Sequence, residues 1–307
     1  MMDVTEAPAN ARMNVTLPNK IKSAGIGPVL ITGCSTGLGH ASALAFRAAG
    51  HLTIATARDI GDIENLAASG CETLRLDVTD EASRQEAVTT IEQRFGPVGV
   101  LINNAGYGQY GPLEEISLDL LRRVFETNVF GALRMAQLCL PGMRRAGRGR
   151  IINVSSVAGR VTAQGGGAYH MTKHALEALA DALRPEVRPF GIDLINVLPG
   201  PFVSGFRDTL LASIPQTGAD SPYAIYKRSI GRYMTEFLNP RRFGVMMSEH
   251  VARAVFRAAT APRPRTRYNV GFHAWFGPIG RRLTPDRLVD AYMSRQIPRD
   301  GGPSATG

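Results

Sequence analysis

Short apolar runs without polar alternation recur along the chain, each followed by a segment with helical spacing. "PVLIT" (28–32) is the first strand candidate, and "GHASALAFRAAG" (39–50) reads as the helix after it, closed by Gly50. "LTIATA" (52–57), "ETLRLDV" (72–78) and "VGVLINNAG" (98–106) follow as strands. A long helix around 117–145 precedes "RIINVSS" (150–156), a helix holding Tyr169, and "IDLINVLPG" (192–200). A last strand is expected in "RYNVGF" (267–272). Strands lacking a polar face are covered on both sides, and strands separated by helices run parallel. The pattern predicts an α/β fold: a doubly wound parallel sheet, Rossmann-like, with helices on both faces, in a single domain. Ligands of such sheets bind outside the carboxyl ends of the strands.

The same pattern divides the chain. Residues 1–25 are polar and rich in Pro and Asn and read as a flexible N-terminal extension. Residues 26–275 form the domain, and about 202–244 have no strand pattern and read as a lid over its ligand end. Residues 276–307 are expected to hold a C-terminal helix, amphipathic from about Pro285, and a tail.

Composition narrows the classes. With 307 residues, 44% of them hydrophobic, the chain can bury one large core. No apolar run reaches the roughly 20 residues of a membrane span, and no secretory leader is evident. Cys34, Cys71 and Cys139 are odd in number and lack metal-ligand spacing, so neither a disulfide framework nor a metal site is expected. A reducing cytoplasm is the expected location. The net charge of +9 gathers in "RRAGRGR" (144–150), "RPRTR" (263–267), Arg241–Arg242 and Arg281–Arg282. These clusters carry neither interleaved aromatics nor a recognition motif, so they read as solvated loops and helix C-termini and no nucleic-acid partner is expected.

Candidate chemistry starts at "TGCSTGLG" (32–39), directly after the first strand and opening the first helix. Glycines at 33, 37 and 39 allow a tight turn and the close approach of a pyrophosphate to helix N-terminal amides. In "AYHMTKHALEAL" (168–179), Tyr169 and Lys173 are four apart and share a helix face. A phenol of pKa about 10 is only about one part in a thousand ionised at pH 7. A neighbouring ammonium lowers that pKa, suiting Tyr169 to proton transfer. His170 and His174 are expected off that face.

Together these motifs resemble the short-chain dehydrogenases/reductases, in the short single-domain branch that includes steroid and retinol dehydrogenase-like members. The likeness covers about residues 28 to 272. "NNAG" (103–106) resembles the segment supporting the sheet and the adenosine side of the cofactor. Asn128 in "ETNVFG", Ser156 in "NVSS", Tyr169 and Lys173 resemble the family's catalytic four, and "PGPFVS" (199–204) the segment beside the nicotinamide. The resemblance implies a nicotinamide cofactor held by Gly33, Ser35, Thr36, Gly37, Leu38, Gly39, Asp77, Val78, Asn104, Tyr169, Lys173, Pro199 and Gly200. Tyr169 is then the acid/base, Ser156 holds the substrate oxygen, Lys173 binds the ribose, and Asn128 supports Lys173.

At the end of the second strand, where NAD-binding units carry an acid, stand Ala57 and Arg58. An arginine fork suits a 2′-phosphate, so NADP(H) is favoured over NAD(H), although Thr36 stands where NADP-preferring members often have a basic residue. Asp59 reads as a cap. The apolar content of the lid points to a lipophilic alcohol or ketone, steroid-, retinoid- or aromatic-like. A homodimer or homotetramer is the implied assembly. Two other readings compete: a nucleotide-sugar epimerase or dehydratase, disfavoured by the absence of a sugar-binding domain, and an NADPH-binding redox sensor without turnover.

Overall fold

A computed structural model describes residues 25–215 and 221–297. Nearly all of the expected N-terminal extension, residues 216–220 of the lid and the tail from 298 lie outside the described residues.

The chain opens with β1 (Val29–Ile31), α1 (Gly37–Ala48), β2 (Thr53–Ala57), the short α2 (Glu64–Ala68) and β3 (Glu72–Arg75). Next come α3 (Glu81–Phe95) and β4 (Val100–Asn103). The predicted long helix is α4 (Leu118–Phe125) and α5 (Ala132–Arg145), joined by a π-helical turn over Glu126–Gly131. β5 (Gly149–Val154), α6 (Gly167–Val187) and β6 (Ile192–Pro199) complete the predicted central run. The expected lid contains β7 (Phe202–Val203), α7 (Phe206–Ser213) and α8 (Ala224–Phe237). Beyond it lie β8 (Met246–Met247), α9 (Ser248–Thr260), β9 (Arg267–Val270), α10 (Phe272–Leu283) and α11 (Asp286–Gln296).

Seven strands form one sheet in the order β3-β2-β1-β4-β5-β6-β9, every pair parallel. Val29, Leu30 and Ile31 are fully buried because helices cover both faces. α1 and α9 pack one face through Phe46, Val251 and Val255. α3, α5 and α6 pack the other through Ile91, Met135 and Ala180. The strand order reverses between β1 and β4, so a crevice opens at their carboxyl ends. The predicted doubly wound sheet is the observed one.

Two sheet-covering helices, α3 and α9, have no counterpart in the reading of apolar runs. α3 buries Ser83, Arg84, Ala87, Val88 and Ile91, so its buried face holds only three apolar residues on an otherwise polar helix. α9 buries Val251, Ala252, Val255, Ala258 and Ala259, small side chains that allow close packing but signal weakly in a sequence.

Several of the clustered arginines are not merely solvated. Arg150 donates from Nη2 to the Ala261 carbonyl at 2.6 Å, fastening the start of β5 to the end of α9. Arg267 donates to Glu177 at 2.9 Å and to Asp181 at 2.6 Å. Asn196 donates to the other Glu177 oxygen at 2.6 Å, so α6, β6 and β9 are tied together around one buried carboxylate.

Candidate active site

The loop between β1 and α1 is shaped by close approach. Gly33 has φ +71°, and a Cβ there would lie 2.9 Å from the Ala105 Cα. A Cβ on Gly39 would meet the Gly33 carbonyl oxygen at 2.1 Å, so the start of α1 packs directly on the turn. The loop is braced from β4. Asn104 donates from Nδ2 to the carbonyls of Thr32 and Gly33, both at 2.9 Å. The amides of Asn104 and Ala105 donate to Thr32 Oγ1 at 3.0 Å. Thr32, just before the first glycine, was not singled out from sequence; its hydroxyl joins the two strands at the crevice.

This loop lines one end of a cavity of about 1110 Å³. Gly33, Ser35, Thr36, Gly37 and Leu38 face it, with Arg58, Asp77, Val78, Asn104, Pro199 and Gly200. Of the expected cofactor-binding residues, Gly39 alone is absent from the lining, and it shapes the turn instead. Thr36 makes no side-chain cap to α1, and the first turn of that helix holds no acid. Its N-terminal amides are therefore open to an anion. This loop, with the crevice beyond it, fits a dinucleotide.

At the far side of the loop Arg58 is exposed and flanks Asp77. Burial raises the Asp77 carboxyl, but the Thr79 amide and hydroxyl and the charges of Arg58 and Arg75 outweigh it, leaving it below its usual range. Asp59 accepts from the Gly61 amide at 2.9 Å and caps that turn.

Ser156, two residues past β5, and Tyr169 and Lys173, on α6, line the same cavity. Tyr169 and Lys173 are buried, and Lys173 Nζ lies 5.7 Å from the Tyr169 ring centroid. Lys173 Nζ donates to the Val154 carbonyl at 2.8 Å. The Ser156 hydroxyl accepts from the Ala158 amide at 3.1 Å and lies close enough to the Tyr169 phenol to favour its ionised form. Ser155 faces the same cavity, but its hydroxyl makes no bond to the phenol.

The expected lowering of the tyrosine pKa is not met within the protein. Burial raises the Tyr169 phenol well above its ordinary value, and the neighbouring Ser156 offsets this only in part. Burial also lowers the Lys173 ammonium to about 8, against a raising influence of Glu177. The site alone therefore holds a neutral phenol beside a lysine that gives up its charge easily.

Asn128 does not line the cavity. It sits in the π turn, where Oδ1 accepts from the Tyr107 amide at 3.0 Å and Nδ2 donates to the Tyr107 carbonyl at 2.9 Å. Nδ2 also reaches Thr172 Oγ1 at 3.1 Å, so Asn128 steadies α6 at the residue before Lys173. His170 departs from expectation in another way: it lines the cavity, with its ring 6.0 Å from that of Tyr169. Burial lowers its pKa to about 4, against the raising bond to the Val161 carbonyl, so it is a neutral wall at neutral pH.

Beyond Tyr169 the cavity is largely apolar, lined by Tyr110, Phe206, Tyr233, Met234, Phe237 and Leu238 among others. Residues 206–238 supply most of this wall. Gln109 donates to the Ser213 carbonyl at 2.6 Å, and Lys227 pairs with Glu115 at 2.7 Å. Tyr110, whose ring lies 6.0 Å from that of Tyr169, was missed because an aromatic in an irregular loop carries no periodic signal.

A profile of the family described as short chain dehydrogenase matches residues 28–213. The chain is 35% identical over 270 residues to the uncharacterized oxidoreductase YbbO of Escherichia coli, covering 86% of this chain and 93% of that one. It is 34% identical over 284 residues to human retinol dehydrogenase 5, covering 88% and 89%. A solved short-chain dehydrogenase from Streptomyces avermitilis superposes with a TM-score of 0.74 at 33% identity, covering 89% of this chain and 96% of the other.

Proposed function

The chain belongs to the short-chain dehydrogenase family of oxidoreductases, and from that premise we propose that it exchanges hydride between NADP(H) and the alcohol or carbonyl of an apolar substrate. Tyr169 is the acid/base. The observation that carries this reading is the meeting of Ser156, Tyr169 and Lys173 in one cavity between an anion-accepting glycine loop and an apolar wall.

The residues that would hold the cofactor are the 33–38 loop, Arg58, Asp77, Val78 and Asn104, with Lys173, Pro199 and Gly200 toward the reacting end. When bound, the nicotinamide supplies or accepts the hydride. The chain's own part is proton transfer and positioning. Ser156 holds the substrate oxygen, and Tyr169, a neutral phenol at pH 7 that burial keeps protonated still higher, donates its proton to that oxygen in the reducing direction. In the oxidising direction the phenol must first lose its proton; Ser156 favours that, and a charged Lys173, 5.7 Å from the ring centroid, acts in the same direction.

Support for NADP(H) is the exposed Arg58 at the end of β2, with Asp59 committed to the Gly61 amide. Support for a steroid-, retinoid- or aromatic-like substrate is the aromatic and aliphatic wall, together with the likeness to a protein named for retinol. A homodimer or homotetramer through the α4–α5 and α6 faces belongs to the same proposal, supported by exposed Leu118, Phe130 and Met171 there.

The test is nicotinamide absorbance across steroid, retinoid and simple aromatic ketones and alcohols, with NADPH and NADH in parallel. Turnover is expected with NADPH, and Tyr169→Phe is expected to lower it by about a hundredfold or more while NADPH affinity stays near that of the parent. Equal turnover in the two proteins overturns the proton-transfer role. NADPH binding without turnover on any substrate would move the redox-sensor reading to first place.

A further inference from the structure

α10 carries two distinct faces. Ala274 is buried, and Gly277, Gly280 and Arg281 line the large cavity. On another side, Phe272, Trp275, Phe276, Ile279 and Leu283 are each at least half exposed, Leu283 to 77%. At about 100° per residue these five fall within an arc of about 100°, a continuous stripe along the helix. Phe243 extends it from the preceding loop: it is 81% exposed, and its ring centroid lies 5.9 Å from that of Phe272. Scattered exposed hydrophobics need no explanation, but a contiguous patch of aromatics does.

Positive charge gathers around the patch: the 241–243 loop contributes exposed Arg241 and Arg242 and the end of α10 contributes exposed Arg282, while Arg281 is paired with Asp286 at the start of α11. We propose that this face of α10, with Phe243, docks on the surface of an anionic lipid bilayer. The apolar stripe enters the boundary between headgroups and acyl chains, with Trp275 at headgroup level and the arginines against lipid phosphates. A second copy of the chain fits less well, because a two-fold interface sets the same patch against itself and its arginines against like charges. The helix would lie on the bilayer rather than cross it: among the described residues no helix is long and apolar enough to span. Docking there brings the cavity wall formed by the other side of α10 close to the lipid.

Trp275 is the sole tryptophan of the chain, so its fluorescence reports on this helix without interference. The full chain is mixed with vesicles of phosphatidylcholine alone or of equal parts phosphatidylcholine and phosphatidylserine, then followed by tryptophan emission and co-sedimentation. A blue shift and sedimentation with the phosphatidylserine vesicles are expected, both lost in Phe276→Glu/Ile279→Glu. Arg241→Gln/Arg282→Gln should weaken the binding roughly 25-fold, about 2 kcal/mol at the usual 1.4 per factor of ten. All four side chains are exposed, and thermal unfolding close to that of the parent would show that the variants fold. An unmoved Trp275 emission, or binding that survives both double substitutions, overturns the proposal. So does a lipid-free dimer, seen by sedimentation velocity, that Ile279→Glu converts to monomer.

Discussion

At the residue scale the site turns on what burial does to a phenol and an ammonium placed side by side. Burial disfavours charge on both, so it raises Tyr169 and lowers Lys173 to about 8. A spacing of four on a helix identifies partners but says nothing of how much water surrounds them, so the burial that raises the phenol in the protein alone is not legible in the sequence. Arg58 is the opposite case, an exposed side chain whose chemistry is plain in the sequence. A hydrogen bond to a charged group is worth about 1.5–3 kcal/mol, so Arg58→Ala should weaken NADPH binding roughly ten- to hundredfold with little change for NADH. Titration calorimetry with both cofactors checks this, and equal losses would remove the phosphate role.

At the element scale helix α6 is held by polar contacts that no local pattern announces. Glu177 lies two helical turns past Tyr169 on α6 and receives Asn196 from β6 and Arg267 from β9. Arg267→Met removes one partner of a buried ion pair, and such losses cost about 3–5 kcal/mol, less here because Arg267 is partly exposed and Arg160 lies near the same carboxylate. The urea midpoint should fall with the m-value unchanged. Turnover per folded molecule should fall as well, because α6 carries both Tyr169 and Lys173. A midpoint equal to the parent's would show that the network contributes nothing net. The π turn that seats Asn128 behaves similarly: "ETNVFG" read as continuous helix, and only its packing against Tyr107 and Thr172 reveals the wider turn.

At the scale of the whole molecule, acid should be the weak direction. His170 stays neutral in the fold down to about 4, whereas an ordinary histidine takes a proton below 6.5. The unfolded chain therefore binds more protons between those values, and stability falls as pH drops from 6.5 to 4, by about 3 kcal/mol at most from this residue. Glu81 adds a second loss further down. Hydrogen bonds from Arg134 and Gln85 hold it at about 2, so its contribution disappears as pH falls from 4.5 toward 2. Denaturant melts from pH 7 to 4 should show this decline, and His170→Gln should flatten the upper part of it. An unchanged slope in the variant would place the loss elsewhere.

The sequence by itself determined the architecture, because unbroken apolar strands can be buried only between two helical layers. It also located the glycine loop, the Tyr169–Lys173 pair and the end of β2, since each is a local pattern with a local physical meaning. Tertiary structure alone decided what depends on surroundings. Burial raised the phenol, turned His170 into a cavity wall and put Asn128 behind Thr172. Packing drew Arg150 and Arg267 out of their basic clusters and into the frame of the sheet. Among the described residues it also left one face of α10 exposed, which no helical periodicity can report, because the same spacing serves a buried stripe and an exposed one.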